Sequence, residues 1–123
     1  PLRALTGRYS AVRRDEEGGL VLLGDHDEVP LPMASTGTRE QVYLALHMGF
    51  ASRLMQGETG VLILDDAFQH SDWQRREHCV QALVGLVAAR WQVFYFTMDD
   101  HIRDLVTGAG RGMGERFAEV ELA

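Results

Sequence analysis

The sequence predicts an α/β protein with a parallel sheet core flanked by helices and a small antiparallel hairpin, on three observations. A continuous apolar run, Val61 to Leu64, follows Gly57 and Gly60 and stops at Asp65 and Asp66, as in a strand buried on both faces of a parallel sheet. A helical pattern from about Trp73 to Arg90, with Val80, Leu83, Val84 and Val87 on its inner face, leads straight into a second apolar run at Gln92 to Thr97. Strand, helix and strand make a right-handed parallel crossover. Far ahead of them, apolar segments around Tyr9 to Val12 and Leu20 to Leu23 flank Asp15, Glu16, Glu17, Gly18 and Gly19, which is a hairpin pattern.

The remaining elements follow from local signals. Gly24 to Pro32 reads as a charged loop bounded by proline. After Ser35, Thr36 and Gly37, the spacing of Val42, Ala45, Leu46, Gly49 and Phe50 predicts a helix over Arg39 to about Met55, with Thr38 and Gln41 as its capping box. Met98 to Asp104 is an acidic turn entering a short helix near Ile102, and Gly108, Gly110, Gly112 and Gly114 mark a loop. Alternation of Ala118, Val120 and Leu122 predicts a final strand over Arg116 to Leu122.

Composition narrows the function. With 123 residues, 46% hydrophobic and 24% charged, the chain has the make-up of one ordinary globular domain. A net charge of −6 argues against an autonomous nucleic-acid binder. All 12 basic residues are arginines, so a Walker A loop, which needs a lysine, is excluded from this sequence. The single cysteine, Cys79, reads as a buried thiol in a reducing compartment. No apolar run approaches the ~20 residues that span a bilayer, which points to a cytoplasmic protein without a membrane partner. The sequence begins at Pro1 and is expected to be a piece of a longer polypeptide.

Chemistry concentrates at strand ends. In open parallel sheets ligands sit beyond the carboxyl ends of the strands, which here carry Asp65 and Asp66 on one side and Thr97, Asp99, Asp100 and His101 on the other. Paired carboxylates can hold Mg²⁺ and polarise a water, or merely cap the strand. Ser35 to Thr38 offers helix-start N–H groups to an anion, or caps the helix and no more. Core packing accounts for Phe94, Tyr95, Phe96, Trp73 and Trp91, and Arg75, Arg76 and Glu77 read as a solvated helix start.

Taken in order, these pieces resemble the C-terminal half of the nucleotide-binding domain of ABC-type ATPases, in the Rad50, SMC and RecF branch that includes the YhaN-like proteins. LTGRY at Leu5 to Tyr9 is similar to the segment that re-enters the head after a coiled coil. ASTGTREQVYLAL, from Ala34 to Leu46, resembles the signature motif and its helix. VLILDDAF, from Val61 to Phe68, resembles Walker B; HSDWQRR, from His70 to Arg76, the D-loop; and QVFYFTMDDH, from Gln92 to His101, the switch strand and H-loop.

The resemblance implies that residues 1–123 are the C-terminal part of one ATPase head domain. Ser35 and Gly37, with Thr36 and Thr38, would meet the γ-phosphate of ATP held on a second head. Asp65 would support Mg²⁺ through water, and Asp66 would stand at the place of the catalytic carboxylate, more often Glu. Asp72 would be the D-loop aspartate that crosses the dimer interface. Arg39 and Gln41 lie on the signature helix, where similar proteins use an arginine to couple nucleotide state to the rest of the head. The partners implied are the missing N-terminal lobe with its Walker A loop, a second head joined through ATP, and DNA only through the parent protein.

At the H-loop the expected histidine is replaced by Met98 and Asp99. A γ-phosphate sensor should donate a hydrogen bond, so Thr97 or His101 is expected to face the nucleotide and Asp99 to cap the following helix. Two other classes compete with this reading. One is a metal-dependent phosphohydrolase or nuclease built on Asp66, His70 and Asp72; the other is a non-catalytic dimerisation module.

Overall fold

A computed structural model describes residues 2–122. The chain opens with a short helix, α1 (Leu2–Thr6). Three strands follow, β1 (Ala11–Arg14), β2 (Leu20–Leu23) and β3 (Glu28–Pro30), in an antiparallel sheet of order β1-β2-β3. The expected hairpin is present, in the register Ala11 to Leu23 and Arg14 to Leu20. Its turn closes because the Asp15 carboxylate accepts from the Gly19 and Glu17 N–H groups at 2.7 and 3.0 Å, with Gly18 at φ 87°. The segment read as a loop over Gly24 to Pro32 instead supplies β3, pairing Leu22 with Val29, and then a 3-10 turn at Leu31–Met33. Three residues ending at a proline carry too little periodicity to be seen, and Pro30 closes this edge strand.

The helix α2 (Thr36–Leu54) starts three residues before the expected Arg39. Ser35 is the true N-cap: its Oγ accepts from the Thr38 N–H at 3.2 Å. Both residues can cap, and the Ser35 hydroxyl reaches the free N–H first in chain order. The buried side of α2 serves two clusters. Val42 packs with Tyr9, Leu22 and Leu31 under the antiparallel sheet. Leu44 packs with Leu5, Leu64, Phe68, Cys79, Leu83 and Ile102.

The second half is the crossover: β4 (Val61–Asp65), α3 (Trp73–Ala88) and β5 (Gln92–Phe96), with β4 and β5 parallel and Asp65 opposite Phe96. The strands are not buried on both faces as the apolar run suggested. Val61 and Ile63 are exposed, as are Phe94 and Phe96, which the core had been expected to hold; only Tyr95 of that trio packs inward, against Phe68. The described residues provide helices for one face only, and alternation sends every second side chain to the other.

Helix α4 (Asp100–Gly110) begins two residues before Ile102 and runs through Gly108 and Gly110, which had been read as loop, into a 3-10 turn at Arg111–Arg116. Gly110 is required by contact: a Cβ there would come within 2.4 Å of the Phe117 ring. The expected strand over Arg116 to Leu122 does not form. Among the described residues no strand adjoins it, and Val120 and Leu122 stay exposed. Alternation without a neighbour to hydrogen-bond yields an extended segment only.

Candidate functional site

The turn after β4 and the turn after β5 lie side by side, as parallel pairing demands. Asp65 is exposed at the end of β4. Asp66 continues the ladder, donating its N–H to the Phe96 carbonyl at 2.8 Å, and then bends the chain at φ 46°. A non-glycine residue in this left-handed region is uncommon, and aspartate tolerates it better than most. Across the gap the Thr97 hydroxyl donates to Asp66 Oδ1 at 2.6 Å. The N–H of Phe68 donates to the Tyr95 hydroxyl at 3.1 Å, which fixes the turn from below. Burial pushes that phenol's pKa up, keeping it neutral.

Thr97 also accepts from the Asp99 N–H at 3.0 Å. Asp99 is the N-cap of α4, as expected: its Oδ1 accepts from the N–H groups of His101 and Ile102 at 2.9 and 3.1 Å. These backbone donors, Ile102 first, together with Arg76, hold its carboxyl below the ordinary aspartate value.

Arg76 is the residue that the sequence reading placed in solvent and the structure places inside, 7% exposed. Its guanidinium donates to the Ser71 carbonyl at 3.0 Å, to the Gln69 carbonyl at 2.8 Å and to His101 Nδ1 at 3.2 Å, and pairs with Asp99 at 3.1 Å. Charged residues at a helix start are solvated by default, so only the acceptors brought by two turns reveal it. Trp73, also expected in the core, is exposed, and its ring stacks on His101 with centroids 4.1 Å apart and 17° between planes.

The third piece is the start of α2. Gly37 is pressed against the turn after β4, where a Cβ would meet the His70 carbonyl oxygen at 2.6 Å. Buried Thr38 accepts from Arg75 at 2.7 Å, and buried Gln41 donates to Ser71 Oγ at 3.4 Å. Ser35 and Thr36 remain exposed at the tip. Asp72 caps α3, accepting from the Arg75 N–H at 2.8 Å, and is otherwise exposed. The structure therefore brings Asp66, Thr97, Asp99 and His101 into one hydrogen-bonded group, and packs Ser35 to Thr38 against the turn that carries Asp72.

Cys79 is buried, and loss of solvation pushes its thiol up to about 11, so it is packing and not chemistry. Among the described residues no three His, Cys, Asp or Glu side chains converge as metal ligands. That speaks against the competing reading of a cluster from Asp66, His70 and Asp72: Asp66 is engaged by Thr97, His70 faces Glu40 at 3.7 Å, and Asp72 is turned to its own helix. No described helix is long and apolar enough to cross a membrane.

Comparison with known proteins agrees with this fold. A chain solved in work on ATP-driven dimerization and DNA stimulated activation of SMC ATPases superposes with a TM-score of 0.52 at 17% identity, over 85% of this chain and 73% of that one. The fold resembles that of an SMC ATPase head. The chain is also 37% identical over 71 residues to a Bacillus subtilis (strain 168) protein named Uncharacterized protein YhaN. That match covers 57% of this chain and 7% of the relative's length. No family model matches.

Proposed function

We propose that this chain is the C-terminal part of an ATP-hydrolysing head of SMC type, which joins a second head through ATP and acts in DNA repair, chromosome maintenance or phage defence. The observation that carries the reading is the pair Asp65 and Asp66 at the end of β4, hydrogen-bonded through Thr97 to the end of β5, within an SMC-like fold.

Phosphoryl transfer asks for positioning and charge stabilisation more than for covalent chemistry. Asp66 orients and polarises the attacking water, with Thr97 holding its second oxygen. His101 donates toward the γ-phosphate. Ser35, with the first N–H groups of α2, meets the phosphate of the facing head, and Asp72 crosses between heads. Asp65 is an exposed carboxylate of the oxygen chemistry that suits Mg²⁺, which when bound neutralises phosphate charge. The phosphate loop comes from an N-terminal lobe, and DNA is engaged by the parent protein.

Mixing the chain with the N-terminal lobe of its parent tests this. ATP turnover is expected from the mixture and not from the chain alone. Efficient hydrolysis by the chain alone, surviving in an Asp66→Asn control, overturns the proposal.

A further inference from the structure

Arg76 is a full charge taken out of water, and burying an ion is costly unless it is paired and hydrogen-bonded. Each of its donor nitrogens is engaged, and the acceptors come from two separate turns: the carbonyls of Gln69 and Ser71 after β4, Asp99 and His101 after β5. The core of α3 does not need it, since Cys79, Val80 and Leu83 already fill the inner face. An apolar side chain of similar size would fill the same space at less cost. What only a guanidinium supplies is the planar fork that reaches several acceptors at once.

We propose that Arg76 is a positioning residue that locks the two turns into one body. It also sets His101: an arginine can only donate, so Nδ1 must accept, and the ring proton sits on Nε2. The imidazole, backed by Trp73, is thereby presented with its Nε2–H as the free donor. Through Ser71 the same body extends to Gln41, and beside it Arg75 grips Thr38, so the start of α2 moves with it. This role rests on the functional reading above and adds to it a link: the residues facing a head's own nucleotide are held in register by Arg76, and those facing its partner's are joined to them through Ser71 and Arg75.

The test uses the full-length parent protein with Arg76→Met and Arg76→Lys. Met keeps volume and removes the buried charge; Lys keeps the charge beside Asp99, lacks the fork, and serves where Met does not fold. Amide hydrogen exchange over residues 66–72 and 97–102 is expected to speed up together in both variants, by ~10-fold or more. ATP turnover is expected to fall by ~10-fold or more in kcat, with KM within ~3-fold, because positioning and not ground-state binding is lost. Recovery of kcat by Lys, or faster exchange confined to one turn, overturns the role. Absence of hydrolysis by the unsubstituted protein overturns the ATPase reading instead, and the exchange result then decides the coupling by itself.

Discussion

The two sheets of this small chain are finished to different degrees. The antiparallel one is closed by its own neighbours in sequence: a turn tied by Asp15, a third strand within ten residues, and Val42 of α2 beneath Leu22. The parallel one is covered by helices on one face and shows Val61, Ile63, Phe94 and Phe96 on the other. A parallel sheet usually has both faces covered, and an exposed apolar stripe marks a surface made to be buried. The contrast teaches a division of labour: the antiparallel sheet stabilises the chain as it stands, while the parallel sheet carries the proposed site and leaves its outer face open.

Substitutions can break or sharpen that division. The largest effect is expected in the self-contained half, where Leu22 is wholly buried and Leu22→Ala should cost ~2–5 kcal/mol. The matching truncation Ile63→Ala, at a residue 67% exposed, should stay within ~0.5 kcal/mol. Urea unfolding of the chain compares them, and equal losses would erase the distinction. Next comes Asp66→Asn in a complete head. Asparagine can still accept from Thr97 and adopt the same turn, so the unfolding midpoint should hold while ATP hydrolysis falls on the order of 10²-fold. A parallel fall in stability would mean that the residue serves the fold first.

A smaller effect is expected at the seam between the halves. Gly37→Ala places a methyl 2.6 Å from the His70 carbonyl oxygen and should cost ~1–3 kcal/mol as α2 is pushed from the turn after β4. Ala at Gly49, where nothing lies within 4 Å, is the control expected to be neutral or stabilising. The smallest concerns acid. The Asp99 carboxyl titrates below its usual value because the folded state favours its ionised form. Its contribution is therefore full above ~4 and is lost as pH falls through the lowered value. In wild type and Asp99→Asn, urea midpoints should differ at pH 6 and draw together as pH falls below ~4; a gap that is constant with pH would assign the loss to packing.

How far the sequence spoke depended on whether the signal was local. The crossover was legible because Val61 to Leu64 and Gln92 to Phe96 are apolar runs with polar stops, and the strand-end residues came with them. The capping role of Asp99 was legible from its place before α4. The start of α2 was misplaced because Ser35 and Thr38 are both competent caps. The exposure of Ile63 and the missing strand at Val120 were illegible for one reason: a periodic pattern reports which face a side chain takes, not whether anything arrives to cover or pair it. Arg76 was hidden for the converse reason, since its acceptors lie in two turns and one of them is 23 residues away in sequence at Asp99.

The backbone at Asp66 has a consequence for which acids can occupy that position at all. At φ 46° the main chain penalises most side chains before any chemistry is asked of them, and Gly, Asn and Asp tolerate it best. Of these only aspartate carries a charge. Mutational tolerance at this position is thus set twice, once by the proposed reaction and once by a dihedral angle. A longer acid there would carry its carboxylate one methylene beyond the place where Asp66 accepts from Thr97.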